Sequence, residues 1–363
     1  MTRARPGRVL RTLLLVLLGV VAVVLLVAAI AVPPLARSKT REALADMKGA
    51  RGEFGDVQVS LFPLRYTITR LKITRKDALL KEPTFYAERL TATLRWAPLL
   101  RGVLAASVDG ERVKAVLEEP EPGPDTPLPS LSELVPVRAV LERLQLRDSE
   151  VLYAWVRKEG WPTVWGHGIE ATLENLGSRP GLVERPMVLA ARGRIDRKGT
   201  VWFAVSADPW AERLTFAGNA GARDFDPSQL NAYLSPKKDV TLTPGSYSLK
   251  MSFRCNSGKL TGTVDPDLTG SEIRSDGDVG SALKVFFGKI ALASVGPTEG
   301  TRPSGAIAVR DDLSDPKLQL APRLEKVIEN GFALGLQEAI RRNYAGKIEA
   351  SSKQEPTPLK AKR

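Results

Sequence analysis

Apolar residues fall along this chain in three textures, and each predicts a different element. From Leu13 to Val32 (LLLVLLGVVAVVLLVAAIAV) they run on without a charged, amide or hydroxyl side chain. A helix of about 20 residues, rising ~1.5 Å per residue, covers the ~30 Å hydrocarbon core of a bilayer. The run that includes Leu13, Leu17, Val24 and Val32 therefore reads as a membrane anchor. Ala29-Ile30-Ala31 resembles a small-x-small cleavage step, but the run is far longer than the ~7–15 residues of a signal-peptide core, so an uncleaved signal anchor is expected. Pro33 and Pro34 break the helix at the far interface, and a short helix from Leu35 to Met47 is expected to lead away from it.

The second texture is alternation, which marks strands with one wet and one apolar face. Val57, Val59 and Leu61 alternate up to Pro63. Tyr66 and Ile68 then share one phase while Leu71 and Ile73 take the other, so a bulge or bend is expected near Arg70. Leu90, Ala92, Leu94 and Trp96 alternate next, followed by a compact turn at Ala97–Gly102 (APLLRG) and a strand through Val113, Ala115 and Leu117. Glu118–Pro129 (EEPEPGPDTPLP) carries five prolines and cannot continue a ladder, which places a soft module boundary there. A short helix and then a strand are expected over Leu131–Leu146, with alternation at Val151, Tyr153 and Trp155 and a Trp- and Gly-rich loop at Gly160–Gly168. Further strands are expected at Val188–Ile195, Val201–Val205, Leu214–Ala217 and Ser304–Val309, and a helix capped by Asp226 over Asp226–Leu234. Ser281–Val295 is apolar enough for either a helix or a buried strand pair. The clearest strand is Tyr247-Ser-Leu249-Lys-Met251-Ser-Phe253-Arg-Cys255, five apolar residues facing one way and four polar ones the other, turned at Asn256-Ser257-Gly258 into Leu260, Gly262 and Val264.

The third texture is a period of three and four. Leu324, Val327, Ile328, Gly331, Leu334, Gly335, Ala339 and Ile340 trace one stripe of an amphipathic helix that starts after Pro322. The last stretch, SSKQEPTPLKAKR, has no apolar period and is expected to be a disordered basic tail. The resulting division is a basic stub and anchor over 1–34, a β module over 35–119, a Pro-rich loop or linker at 120–130, a second β module with its closing helix over 131–346, and the tail at 347–363.

Charge changes the picture only at the ends. The 363 residues carry a formal +12. Arg3, Arg5, Arg8, Arg11, Arg37, Lys39 and Arg41 precede the first acid, Glu42. Taking those seven, and the tail's net +3, from the total leaves about +2 for everything between. Basic ends around a nearly neutral body suit anionic headgroups beside an anchor and provide no stripe to follow a phosphate backbone, so nucleic acid is disfavoured as a partner. Arginines before the apolar run slightly outnumber those just after it, a weak vote for a cytoplasmic N-terminus.

Candidate chemistry is sparse. The single cysteine, Cys255, rules out an intrachain disulfide and reads as a small hydrophobe on a strand. His167, the one histidine, sits between glycines in Trp165-Gly-His-Gly168 and reads as a loop-tip residue; no Gly-x-Ser-x-Gly elbow accompanies it. One histidine and one cysteine are too few for an ordinary zinc site. Asp276-Gly-Asp278 lacks the later calcium ligands, with Ser281 and Phe287 where Gly and Glu would be needed, and Asp265-Pro-Asp267 is explained as a turn. No cofactor and no catalytic residue is expected. Tyr153, Trp155, Trp161 and Trp165 form either a lipid- or partner-facing cluster or the plug of a β core. The Tyr247–Phe253 face likewise either lines an acyl-chain groove or packs against a neighbour.

Around Leu71–Glu119 the order is a strand, then EPTFYAERLTATLRWAPLLRGVL, then a strand returning through VDGERVKAVLEEP. This resembles the membrane-anchored AsmA-like superfamily, in its domain-of-unknown-function branch, where an apolar strand runs into a W-x-x-L-L-x-G turn. PSQLNAYLSPKKDVTLTPGSYSLKMSFRCNSGKLTGTV is similar to the sheet repeat of that branch, and DDLSDPKLQLAPRLEKVIENGFALGLQEAI to its closing segment. The resemblance implies a mostly β protein with one N-terminal transmembrane helix, a long curved or sandwich-like antiparallel sheet and a C-terminal amphipathic helix. It further implies anchoring in a bacterial inner membrane with the body in the periplasm, and non-enzymatic handling of phospholipid along an apolar groove. The groove candidates are Tyr247, Leu249, Met251, Phe253, Leu90, Leu94 and Trp96. Membrane phospholipid is the expected partner, with other envelope proteins beside it. The chain is short for that superfamily, which puts a bridge between two membranes in doubt. The competing expectation is an envelope scaffold with a closed β core and no cargo.

Overall fold

The computed structural model describes residues 34–119, 135–155, 163–231, 240–275, 306–313 and most of 320–342, apart from a few isolated positions within these stretches. The expected anchor with Leu13, Leu17, Val24 and Val32, the Pro-rich segment at 120–130, Trp161, the apolar stretch 281–295 and the basic tail lie outside the described residues. Among the described residues no helix is long and apolar enough to cross a membrane. The protein is mostly β and its sheet is rich in antiparallel pairs. The chain divides into two compact units, Met1–Val156 with Glu174–Glu184, and Arg157–Leu173 with Arg185–Arg363.

The first unit opens with a helix, α1, over 34–45, at the place the stretch after the two prolines predicted one. Strands β1 (Ala50–Glu53), β2 (Asp56–Leu61), β3 (Leu64–Arg75), β4 (Phe85–Leu94), β5 (Leu104–Glu119) and β6 (Ala139–Trp155) follow, with a single helical turn, α2 (Trp96–Leu99), between β4 and β5. β1 and β2 pair successively along one edge of β3, and β3, β4 and β5 form an antiparallel run. β6 then pairs parallel to β5 over nearly its whole length, from Leu104↔Ala139 to Glu119↔Trp155. A parallel pair needs a crossover of a dozen or more residues, which the stretch 120–138 is long enough to supply. The strands on either side of the expected Pro-rich boundary are therefore hydrogen-bonded neighbours within one unit. Of the helix and strand expected over 131–146, the opening residues 131–134 lie outside the described residues, and the strand runs from Ala139 for 17 residues.

A crease crosses this unit where the alternation changes phase. Arg70 takes φ +51, Arg112 +46 and Asp148 +46, the left-handed region that few non-glycine residues adopt. They occupy one level of the sheet, since Thr69↔Arg89, Glu111↔Arg89 and Glu111↔Arg147 are paired neighbours. On β3 the buried positions jump from Ile68 to Leu71, on β5 from Gly110 to Val113, and on β6 from half-buried Leu146 to buried Ser149. All strands change phase together, so the register continues on both sides. Ser149 repairs the ladder: its Oγ accepts from the Val113 N–H (3.3 Å) and donates to the Arg147 carbonyl (3.1 Å). The core of the unit lies on one face, where Val57, Ile68, Leu71, Ala87 and Val113 pack with Ala36 and Leu44 of α1.

The second unit contains β8 (Met187–Ile195), β9 (Gly199–Ala207), β10 (Phe216–Phe225), β12 (Ser246–Asn256), β13 (Lys259–Thr269) and β15 (Ile307–Asp312), paired antiparallel in that order. β11 (Val240–Leu242) and β14 (Ile273–Ser275) form a small separate ladder. β7 (Thr163–Gly177) is divided between the units at Leu173. Described residues between 324 and 342 are helical and form α3. Asp226 caps a 3-10 turn, Pro227–Leu230, by accepting from the Ser228 N–H at 3.0 Å, at the start of the helix expected over Asp226–Leu234, whose residues 232–234 lie outside the described residues.

Two expectations of loops are corrected. Trp165-Gly-His-Gly168 lies within β7, so His167 is a strand residue; its imidazole stacks on Trp165 with ring centres 4.6 Å apart. Asp265-Pro-Asp267 is no turn either, because β13 continues to Thr269 and Pro266 pairs with Leu249. Among the described residues the pairing of β13 with β15 ends at Val264↔Ile307, so no described ladder bond on that side asks for the missing N–H of Pro266.

Candidate functional site

The strand with the strongest alternation, β12, supplies the floor of the site. Tyr247, Leu249, Met251, Phe253 and Cys255 are all buried, while Lys250, Ser252 and Arg254 on the other face are exposed. α3 lies on this apolar row and two glycines let it come close. A Cβ at Gly335 would stand 2.6 Å from Leu249 Cδ1 and 2.8 Å from the Tyr247 hydroxyl, and one at Gly331 would collide with the Met251 sulfur. The glycines of the apolar stripe therefore mark where the helix touches the sheet. Phe332 stacks edge-on against Tyr247 (5.3 Å) and Phe225 (5.9 Å), and the Tyr247 hydroxyl donates to the Phe332 carbonyl at 3.3 Å. Burial pushes the Tyr247 phenol well above its ordinary range. On the helix side Leu336, Ala339 and Ile340 are fully enclosed.

α3 does not fill all the space above the sheet. Beside it remains a half-open cavity of about 220 Å³, walled by β8, β9, β10 and β12 and by Ile328 and Phe332 of α3. Its accessible lining is apolar. Small residues make the room: Ala191, Gly193, Ala220 and Ala222 stand where larger side chains would fill it, while Gly221 faces the other side of the sheet. The Trp202 indole lies over Gly221, so closely that a Cβ there would collide with the ring, and the Arg223 guanidinium sits 5.9 Å from the ring centre. Arg192 and Arg194 border the cavity on β8 but alternate with Ala191 and Gly193 and turn to the opposite face of the sheet, where the Arg192 guanidinium is bonded to Glu170 at 2.5 to 2.8 Å. A second void, about 30 Å³, lies between Met251, Phe253, Val309 and Val327 and is too small to bind a ligand.

Of the groove candidates, Leu249 and Met251 line the larger cavity, whereas Tyr247 is sealed beneath α3. Phe253 is buried against Phe216, their rings edge-to-face at 6.0 Å. Leu90, Leu94 and Trp96 belong to the first unit. Leu90 packs into its core beside Gly110, Leu94 pairs with Leu64 and is half-buried, and Trp96 is exposed and stacked on Phe62. The walls at Ala191, Phe203, Ala220, Ala222 and Phe332 escaped the sequence reading. A usable signal existed in Phe216-Ala-Gly-Asn-Ala-Gly-Ala222: a strand of small residues packs little against its neighbours and leaves room.

Cys255 is buried on β12, its thiol 3.3 Å from the Leu214 carbonyl, and burial pushes it above the ordinary thiol range. It is a packing residue without the cationic neighbours that activate a thiolate. Among the described residues no three His, Cys, Asp or Glu side chains cluster closely enough to hold a metal ion. No protein-family model matches the chain, and no curated protein is significantly similar to it.

Proposed function

We propose that this is a single-pass protein of a bacterial inner membrane, held by Leu13–Val32 with its N-terminus in the cytoplasm and its β body in the periplasm, and that it handles lipid acyl chains without making or breaking bonds. The AsmA-like resemblance motivates this reading, and the half-open apolar cavity beside α3 carries it. Each methylene kept out of water there is worth about 0.8 kcal/mol. A dry engineered cavity of ~150 Å³ already holds a benzene ring, so about 220 Å³ accommodates a segment of one acyl chain rather than a whole phospholipid. Membrane phospholipid is then the cargo and other envelope proteins the partners.

The envelope scaffold with a closed core is the second reading. The burial of Tyr247 and Leu249 beneath α3 favours it. Ala191→Phe separates the two, because Ala191 lines the cavity from β8, with β9 and β10 between it and the β12 row on which α3 sits. The full chain, stripped of lipid in detergent, is titrated with a fluorescent fatty acid. Saturable binding that Ala191→Phe abolishes, with the melting temperature kept, supports acyl-chain handling. Absence of binding to the folded wild-type chain supports the scaffold.

A further inference from the structure

The first unit carries a second apolar feature, at the end of its sheet where β2 turns into β3 and β4 into β5. Eight large apolar side chains are notably exposed among the described residues, and five of them gather here: Phe62 (66 %), Trp96 (40 %), Leu100 (83 %), Leu104 (38 %) and Val137 (54 %). The topology brings them together. Leu64 pairs with Leu94 at the base of both turns, the Arg95 N–H is bonded to the Ala105 carbonyl, and the Leu104 N–H to that of Arg138. Phe62 and Trp96 stack at 5.9 Å, and the indole N–H donates to the Leu61 carbonyl at 3.1 Å. The ring is thereby fixed with its apolar body outward. A soluble surface scatters such residues singly, and a rigid cluster of them needs a partner.

Two further observations say what that partner is. Residues 60–66, 92–106 and 135–142, which build this end, contain Arg65, Arg95, Arg101 and Arg138, all exposed, against a single acid, Glu142, which pairs with Arg95 at 2.7 Å and leaves an excess of three positive charges. At the opposite end of the same strands the charges are mixed and paired, as in Arg75–Asp77 and Lys114–Glu82. The incoming chain also points at the apolar end. Leu44 of α1 lies over Gly52, at the level of Ile73, while Thr40 and Arg37 meet Tyr66 and Val57 nearer the turn. The first turn of α1, with Leu35 exposed (60 %), is thus directed toward that end, and the 20-residue apolar run ends two residues before it.

We infer that this end of the first unit docks on the surface of the bilayer that holds the anchor, Phe62, Trp96, Leu100 and Leu104 entering the interface and the arginines meeting anionic headgroups. Trp and Leu beside arginine are the side chains that settle at that depth. The docking rests on the anchor reading and is independent of any cargo in the second unit.

The full chain carrying Cys255→Ala is reconstituted into vesicles of phosphatidylethanolamine and phosphatidylglycerol. An environment-sensitive fluorophore is placed on Leu100→Cys or, as control, on exposed Lys76→Cys at the far end of β3. Docking predicts several-fold stronger quenching by brominated lipid than by aqueous iodide at position 100, and the reverse at position 76. Equal, water-like quenching at both positions overturns it, as does equal immersion of both or a label at 100 shielded from both quenchers. Unchanged immersion in vesicles of phosphatidylcholine alone overturns the role given to anionic headgroups. Alkaline washing distinguishes the underlying failure: protein stripped from the vesicles refutes the anchor, whereas retained protein with a wet Leu100 label refutes only the docking.

Discussion

Each unit lays one helix on one sheet, and the two seats are built differently. α1 is pinned by polar contacts: Arg37 pairs with Asp56 (2.6 Å) and donates to the Val57 carbonyl, and the Thr40 hydroxyl links the Ala36 carbonyl to the Tyr66 hydroxyl (2.7 and 2.6 Å). The close approach is granted from the sheet, where Gly52 leaves room for Leu44. α3 grants it from the helix, through Gly331 and Gly335, and is seated mainly by apolar packing on Tyr247, Leu249 and Met251. The first arrangement fixes a helix by geometry-specific bonds over a filled core. The second fixes it chiefly by burial, with one hydrogen bond from Tyr247, and leaves a cavity alongside, an arrangement in which a helix moves at lower cost than when several hydrogen bonds must break.

The comparison is broken most severely from the sheet side of α3. Met251→Lys places an ammonium beneath the helix without a counter-charge and is expected to destabilise the second unit by about 3–5 kcal/mol, read from denaturant melts. Gly335→Leu drives a side chain into Leu249 and the Tyr247 hydroxyl. It is expected to cost about 2–3 kcal/mol by overpacking and to raise hydrogen exchange in α3 while leaving α1 protected. In the first unit Thr40→Val removes the shared hydroxyl and is expected to cost about 1 kcal/mol, with exchange rising in α1 alone.

pH sharpens the contrast from both directions. Asp56 is slightly desolvated, which raises its pKa, but bonds from the Val57 N–H, Gln58 and Arg37 outweigh this and hold the carboxyl below its ordinary range. A depressed carboxylate contributes stability that is present above the unfolded range and is lost as pH falls through the folded value. The α1 seat is therefore acid-sensitive, and Asp56→Asn should flatten its protection between neutral pH and about pH 3. Tyr247 is raised by burial, so its contribution is present below the ordinary phenol range and is lost as pH rises from about 10. The α3 seat is alkali-sensitive, and Tyr247→Phe should remove that sensitivity. Coincident loss of both helices at either extreme would contradict the separation of the two seats.

Much of the local structure was legible in the apolar spacing. The phase change between Ile68 and Leu71 announced the crease at Arg70, and the two-faced pattern from Tyr247 to Cys255 announced β12 and its buried side. What spacing does not encode is which apolar face meets which. An amphipathic helix and a two-faced strand were both visible, but nothing in either period says that one covers the other, because that depends on contacts between distant segments. Turn chemistry misled for a related reason. Asp265-Pro-Asp267 and Trp165-Gly-His-Gly168 carry local loop signals, and both lie in strands because neighbouring strands hold them. The cavity was least visible of all, since it is defined by side chains that are small rather than by any that announce chemistry. Exposure, too, depends on the assembled fold: Trp96 was grouped with Leu90 and Leu94, yet Leu90 turned into the core while Trp96 stayed outside.

The central claim is that the space beside α3 holds an acyl chain. It is tested most directly by native mass spectrometry of the full chain purified in mild detergent, wild type beside Ala191→Phe, with lipid extraction of both. The account predicts phospholipid retained by the wild type and lost from the folded variant. Equal lipid on both, or none on either, would contradict it.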